Sequence, residues 1–329
     1  MPAQADQNLH VYMLNVGQGD TTVIVSPKGR VMVMDAIQPN KLLDFLNNKL
    51  QLKDKTIEHL VISHPHTDHF SGANRLAKEL KILQATVAPF WHKTGIGPAT
   101  YRKLIGELAN QKTNTTFLSG YSRWYPDGST KQGSQGANPE IDEDAPFVEL
   151  LGASTGMVRN LMDAKVFDPN HLSIMARISW RKSFRMIIAA DAQMENWAAF
   201  DDARLLEDSC QVLRSAHHGS ANGTQWERVN RLDPREVIVS SEPDGKDELP
   251  DITGSAIFAK FNTKPDRMVC LTHATGTIHL TVQPSGSRTY ERYGEPKSAK
   301  INLGNATALK RNSNPTDWPN LLDKRVNDL

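Results

Sequence analysis

The sequence predicts an α/β protein in which two mixed sheets pack face to face between outer helices. Two observations lead there. Short β-rich runs recur in both halves of the chain, and each half opens on turn-linked strands before passing to strands separated by helical segments. Between the halves, from about 120 to 146, all periodicity stops.

In chain order, Leu9 to Val16 and Thr21 to Ser26 read as strands, and Pro27-Lys28-Gly29-Arg30 turns the chain into Val31 to Asp35. Leu42, Leu43, Phe45 and Leu46 recur at helical spacing. A strand from Ile57 to Ser63, a helix from Ser71 to Leu80, a strand from Ala85 to Pro89 and a helix from Pro98 to Asn110 follow. The second half reads as strands at Phe147 to Leu151, Ser173 to Trp180, Phe184 to Ala190, Gln211 to Ser215, Glu236 to Ser241, Arg267 to Thr272 and Thr277 to Val282. Helices are expected near Met194 to Leu206, Gln225 to Leu232 and Gly254 to Phe261. The stretch from about 120 to 146 is rich in Gly, Pro, Ser, Asp and Gln, so it reads as a surface insertion or lid. One domain is expected over 1–295, and 296–329 reads as a polar C-terminal tail, an arm over the surface or a partly disordered segment.

Hydrophobic residues at 39% and charged residues at 23% describe a globular chain with material for a sizeable core. The net charge of +1 offers no global attraction to nucleic acid, so any such affinity rests on a local patch. The N-terminus has no basic, apolar leader pattern, and apolar runs such as Val31 to Met34 are strand-sized, so neither a secretory signal nor a membrane partner is expected. Cys210 and Cys270 sit singly in apolar runs and read as buried fillers in a reducing compartment. The expected location is the cytoplasm.

The chemistry concentrates in His64-Pro65-His66-Thr67-Asp68-His69, directly after a strand. Alternate residues His64 and His66 can converge on one metal ion, while Asp68 and His69, turned by the next helix, can hold a second. Imidazole and carboxylate suit zinc, and catalytic zinc keeps a position open for water. Asp191 leaves the apolar strand that ends at Ala190, either as a ligand or as the N-cap of the next helix. His217 and His218 end another strand. Consecutive residues on extended chain face opposite sides, so one of the two is expected to bind metal, with His218 favoured and His217 left to touch the substrate or orient its neighbours.

The signature H-x-H-x-D-H is matched by His64, His66, Asp68 and His69, so the chain resembles the metallo-β-lactamase superfamily. It looks more narrowly like the hydrolase domain of ComEC-type competence proteins. The matching segments are Val16-Gly17-Gln18-Gly19-Asp20, Asp35-Ala36, Ser63 to His69, Ala190-Asp191-Ala192 and His217-His218-Gly219-Ser220, in order over roughly 9 to 293. The resemblance implies an αββα sandwich, Asp191 as the carboxylate bridging both metals, and Asp20 and Asp35 as groups that orient ligand imidazoles. A turn role for Asp20 stands beside that reading. Where the best-known enzymes carry a third-motif histidine, the chain has Asp168-Pro169-Asn170-His171. His171 or Asn170 supplies that contact, or neither does.

These ligands imply one or two Zn²⁺ ions, with Mn²⁺ as the alternative, and a hydroxide shared between two metals that attacks an electrophile. Asp68 and His217 are expected to act on the substrate. Ser220 can bond it, and Trp124 and Tyr125 in the insertion can stack on bases or sugars at the mouth of the site. The resemblance implies phosphodiester substrates, with nucleic acid first. A small phosphodiester, such as a cyclic nucleotide or a choline phosphodiester, is the rival, slightly favoured by the neutral charge. Another class altogether is a metal-binding interaction module with weak turnover, whose insertion recruits a protein partner. Intact Asp68, His69 and Asp191 argue against it.

Overall fold

The computed structural model describes residues 6–89, 99–127, 145–181, 183–206, 209–242 and 249–293. The expected tail at 296–329, residues 128–144 of the expected insertion, His92 and Lys182 lie outside them.

The first sheet is built from β1 (Leu9–Met13), β2 (Thr22–Val25), β3 (Val31–Met34), β4 (Thr56–Ile62), β5 (Lys81–Val87), β6 (Asn114–Phe117), β14 (Thr277–Val282) and β15 (Arg288–Tyr293), in the order β15-β14-β1-β2-β3-β4-β5-β6. The second is built from β7 (Tyr121–Trp124), β8 (Phe147–Leu151), β9 (Met175–Trp180), β10 (Phe184–Ile188), β11 (Val212–Arg214), β12 (Glu236–Val239) and β13 (Met268–Leu271), in the order β13-β12-β11-β10-β9-β8-β7. Hairpin-linked strands in each sheet run antiparallel. The segments β3 to β6 and β10 to β13, where helices intervene or the connections are long, run parallel.

Side-chain alternation assigns the layers. Val11 and Met13 of β1, Val61 of β4, Met186 and Ile188 of β10 and Val212 of β11 share one core between the sheets. Leu60 and Ile62 of β4 face the opposite way, packing with α1 (Pro39–Asp44), α3 (Ala73–Glu79) and α4 (Ala99–Asn110). Ile187 and Leu213 face outward on the other side, toward α6 (Met194–Asp202), α7 (Trp226–Leu232) and α8 (Ile252–Asn262). Each sheet buries both faces, which makes four layers.

Four elements differ from the sequence reading. Tyr121–Trp124 of the expected insertion is an edge strand, with Tyr121 paired to Leu151 and Trp124 to Val148. The strands Asn114–Phe117 and Arg288–Tyr293 and the helix α5 (Thr155–Asp163) lacked a readable pattern. These strands lie at sheet edges, where polar exposed residues replace the buried alternation that betrays a strand.

The fold brings the ends of parallel strands together at one rim. Ser63 follows β4 and accepts a hydrogen bond from the Ile174 N–H just before β9, at 2.9 Å, which ties the two sheets at that point. Among the described residues, no helix is long and apolar enough to cross a membrane.

Candidate metal centre

Asp35 follows β3, Ser63 and His64 follow β4, Asp191 follows β10, and His217 and His218 follow β11. All therefore leave parallel strands at their carboxyl ends, where open α/β sheets place their sites. His69 comes from the short helix α2 (Thr67–Phe70), and its carbonyl accepts the Ala36 N–H at 2.7 Å.

Two groups of side chains offer atoms within 4.8 Å of one another: His64, His66 and Asp191, and Asp68, His69, Asp191 and His218. Asp191 belongs to both. Its Oδ2 lies 3.7 Å from His64 Nε2 and 3.7 Å from His217 Nε2. Its Oδ1 lies 3.2 Å from His69 Nε2 and 3.5 Å from His218 Nε2. Each oxygen of one buried carboxylate thus faces its own imidazole pair. The helix after Asp191 is capped by Gln193, so capping does not occupy the Asp191 side chain.

The other ring nitrogen fixes the direction of each imidazole. His218 Nδ1 meets the Ser240 carbonyl at 3.2 Å, which can only accept. His69 Nδ1 donates to Asp35 Oδ2 at 2.7 Å. The single Ser63 hydroxyl proton goes to Asp35 Oδ2, so Ser63 Oγ accepts from His64 Nδ1 at 3.1 Å. His217 Nδ1 donates to Asn222 Oδ1 at 2.7 Å. All four Nε2 atoms are left with lone pairs aimed at Asp191.

Lone pairs converging on an anion need a cation. His64 Nε2, His69 Nε2, His218 Nε2 and Asp191 Oδ1 are buried without a hydrogen-bond partner, a costly arrangement if nothing binds there. The donor set of imidazoles and carboxylates suits a borderline divalent ion, so the residues fit the metal that the sequence implies. The same negative charges also attract a proton in competition with a cation. Burial works against charge on His69, but Asp191 and Asp35 outweigh it and raise His69 well above the ordinary imidazole value. Burial also opposes charge on Asp191, yet His69 and His218 hold it well below the usual carboxylate range. A third group, Asp20, Asp35 and His69, is already internally paired, since Asp20 meets Arg214 and Asp35 meets His69.

The loop from Gly17 to Asp20 closes over this rim. Gly19 has φ +111°, and a Cβ there would fall 2.4 Å from the Asp68 carbonyl oxygen, so a glycine is required. The next N–H, that of Asp20, donates to the same oxygen at 3.1 Å.

Several expectations need correction. His217 and His218 are not extended: both have left-handed φ, 46° and 52°, and both rings converge on Asp191. The argument that placed them on opposite sides fails: His217 also faces Asp191, although it lies outside both groups of mutually close atoms. His171 is turned away. Its Nδ1 accepts the Asp168 N–H at 2.9 Å, and its Nε2 faces Glu195 Oε2 at 3.2 Å. Asn170 is the member of that motif that reaches the centre, with Nδ2 3.4 Å from His217 Nε2 and a buried, unpartnered Oδ1. Trp124 and Tyr125 do not reach it. Trp124 pairs with Val148, which pairs with Ile178, near the β9–β10 turn at the opposite end from Asp191. The two aromatics line a separate cleft with Lys28, Arg30 and Lys53. Ser220 borders His217 and gives its hydroxyl to Asp251 Oδ2 at 3.5 Å. Ser63, Asn222, Ser240 and Arg214 carried no assignment from sequence. Only Arg214, a charge inside an apolar strand, gave a usable signal.

Residues 14–167 match the family model described as the metallo-beta-lactamase superfamily. No curated protein matches the chain. Among solved structures, a diiron β-hydroxylase from Streptomyces venezuelae is 14% identical with a TM-score of 0.50, covering 86% of this chain and 54% of that one. The chain thus spans about half the length of that protein. A metallo-hydrolase from the hyperthermophilic archaeon Ignicoccus hospitalis is 12% identical with a TM-score of 0.48, covering 87% of this chain and 100% of that one. The short form of human tRNase Z is 12% identical with a TM-score of 0.41, covering 71% of this chain and 92% of that one. The match takes in β3, β4 and the segment His64 to His69, while Asp191, His217 and His218 lie beyond it; the chain has the metallo-β-lactamase fold.

Proposed function

We propose that the protein is a metal-dependent phosphodiesterase acting on nucleic acid. The observation that carries the reading is the pairing of each Asp191 oxygen with its own imidazole pair, which describes two adjacent cation positions sharing one carboxylate. His64, His66, His217 and Asp191 would hold one ion, and Asp68, His69, His218 and Asp191 the other, with zinc favoured over manganese by the imidazole content. Such ions supply Lewis acidity, acidifying water and neutralising charge on the reacting oxygens of a diester.

The chain's own residues supply orientation and access. Asp35, Ser63, Ser240 and Asn222 hold the four rings with their Nε2 atoms inward. Asp68, 33% exposed, and His217, 18% exposed, form the open side of the centre and would touch the substrate. Ser220, beside them, can turn its weakly held hydroxyl to a substrate oxygen. The diester class is supported by the resemblance to the ComEC-type hydrolase domain and by a two-position centre able to serve both the attacking and the leaving oxygen. A small phosphodiester is the second reading, favoured by the net charge of +1.

Zinc- or manganese-loaded protein should hydrolyse bis(p-nitrophenyl) phosphate and cleave single-stranded DNA, duplex DNA or RNA. His66→Ala and Asp191→Ala should each lower both rates by at least ~100-fold, because each removes a ligand itself rather than its support. Hydrolysis of the chromogenic diester with no polymer cleaved selects the small-molecule reading. No hydrolysis of either by metal-loaded protein contradicts both and favours an interaction module.

A further inference from the structure

Among the described residues, Arg214 is the largest fully buried side chain, 1% exposed, on a central strand of the second sheet. Val212 of β11 faces the core between the sheets and Leu213 faces outward, so alternation aims Arg214 into the layer between the sheets. A guanidinium there is costly unless it is paired with good geometry. It crosses to the first sheet, where Nη2 donates to Asp20 Oδ1 at 2.6 Å and Nη1 donates to Thr22 Oγ1.

What Arg214 holds is the loop against which half the metal centre is built. The Asp20 N–H donates to the Asp68 carbonyl at 3.1 Å. The Gly19 carbonyl accepts from Ser240 Oγ at 2.6 Å, and the Ser240 carbonyl accepts from His218 Nδ1 at 3.2 Å. Asp20 Oδ1 itself lies 3.7 Å from His218 Nδ1. Asp68 and His218 therefore take their positions from one short segment, and Arg214 pins that segment across the sandwich. His64 and His66 take theirs from elsewhere: His64 is oriented by Ser63 and through it by Asp35.

Resting on the reading of the rim as a metal centre, we propose that Arg214 is a positioning residue for the Asp68–His69–Asp191–His218 half. It acts through Asp20 and touches neither metal nor substrate. Removing Arg214 should loosen one half of the centre selectively.

The test is a Zn²⁺ titration of metal-free full-length protein against a chromogenic chelator, with Co²⁺ absorption spectra recorded in parallel. Wild type should bind two ions. Arg214→Met should weaken one of the two by ~10–100-fold and leave the other unchanged. The Co²⁺ spectrum it retains should match that of His218→Ala rather than that of His66→Ala. Arg214→Lys, which keeps a charge for Asp20, should recover part of the loss. Equal weakening of both ions, or of neither, overturns the proposal while leaving the metal centre intact. Wild type binding no ion overturns the metal centre and this proposal with it. Should Arg214→Met fail to fold, Asp20→Asn carries the test, and two ions bound at wild-type affinity would overturn the proposal.

Discussion

Asp35 accepts the Ser63 N–H at 2.7 Å on one oxygen, and the Ser63 hydroxyl and His69 Nδ1, each at 2.7 Å, on the other. One side chain thereby fixes two rings of the candidate centre, His69 directly and His64 through Ser63. An amide in its place presents a donor on one side, where only acceptors are wanted, so Asp35→Asn should weaken metal binding ~10–100-fold while costing ~1–3 kcal/mol of stability. Chelator competition and urea unfolding read the two effects separately, and unchanged metal affinity would contradict this account of Asp35. At this scale the cluster His64 to His69 was legible because three imidazoles and a carboxylate within six residues stand out. Asn170 and His171 were not separable, since only the short helix Pro169–Leu172 decides which neighbour points inward. Arg214 shows its role only when the opposite sheet is in place.

At the scale of elements, the segment after β11 shows what local sequence hides. His217-His218-Gly219 reads as a strand end, yet three successive left-handed residues swing both rings to Asp191. The edge strand Tyr121–Trp124 carries its Trp124 end away from the rim. Trp124→Ala and Tyr125→Ala should therefore leave hydrolysis of bis(p-nitrophenyl) phosphate within about twofold of wild type, less than the 1.4 kcal/mol of a tenfold change. A loss near that of His66→Ala would contradict the placement. In β4, His59 is buried, with Nε2 on Thr86 Oγ1 at 2.8 Å and Nδ1 unpartnered. Charging it would bury an unpaired N–H, and burial lowers it to about 4. The folded value lies below the unfolded value of ~6.5. The stability of the neutral form is thus complete above ~6.5 and is lost as pH falls toward 4. His59→Gln should unfold less steeply with acid over that window, by urea midpoints at stepped pH. Parallel pH dependences of the two proteins would contradict the assignment.

At the scale of the molecule, the four-layer architecture was readable because it repeats a pattern with strong physical signs: buried strands with continuous apolar runs, helices of regular period, and turn residues between them. What the sequence hid at this scale were polar sheet edges such as Asn114–Phe117 and Tyr121–Trp124, where exposure removes the buried alternation. The sandwich gives the centre its form by bringing the carboxyl ends of parallel strands from two sheets to one rim, with Asp191 between two sets of imidazoles. That sharing of one carboxylate is the central claim, and counting bound metal tests it most directly. Elemental analysis of zinc-reconstituted wild type should find about two ions per chain, and Asp191→Ala should fall well below one, since both positions lose the same ligand. Wild type holding no metal, or Asp191→Ala retaining both ions, would contradict the account.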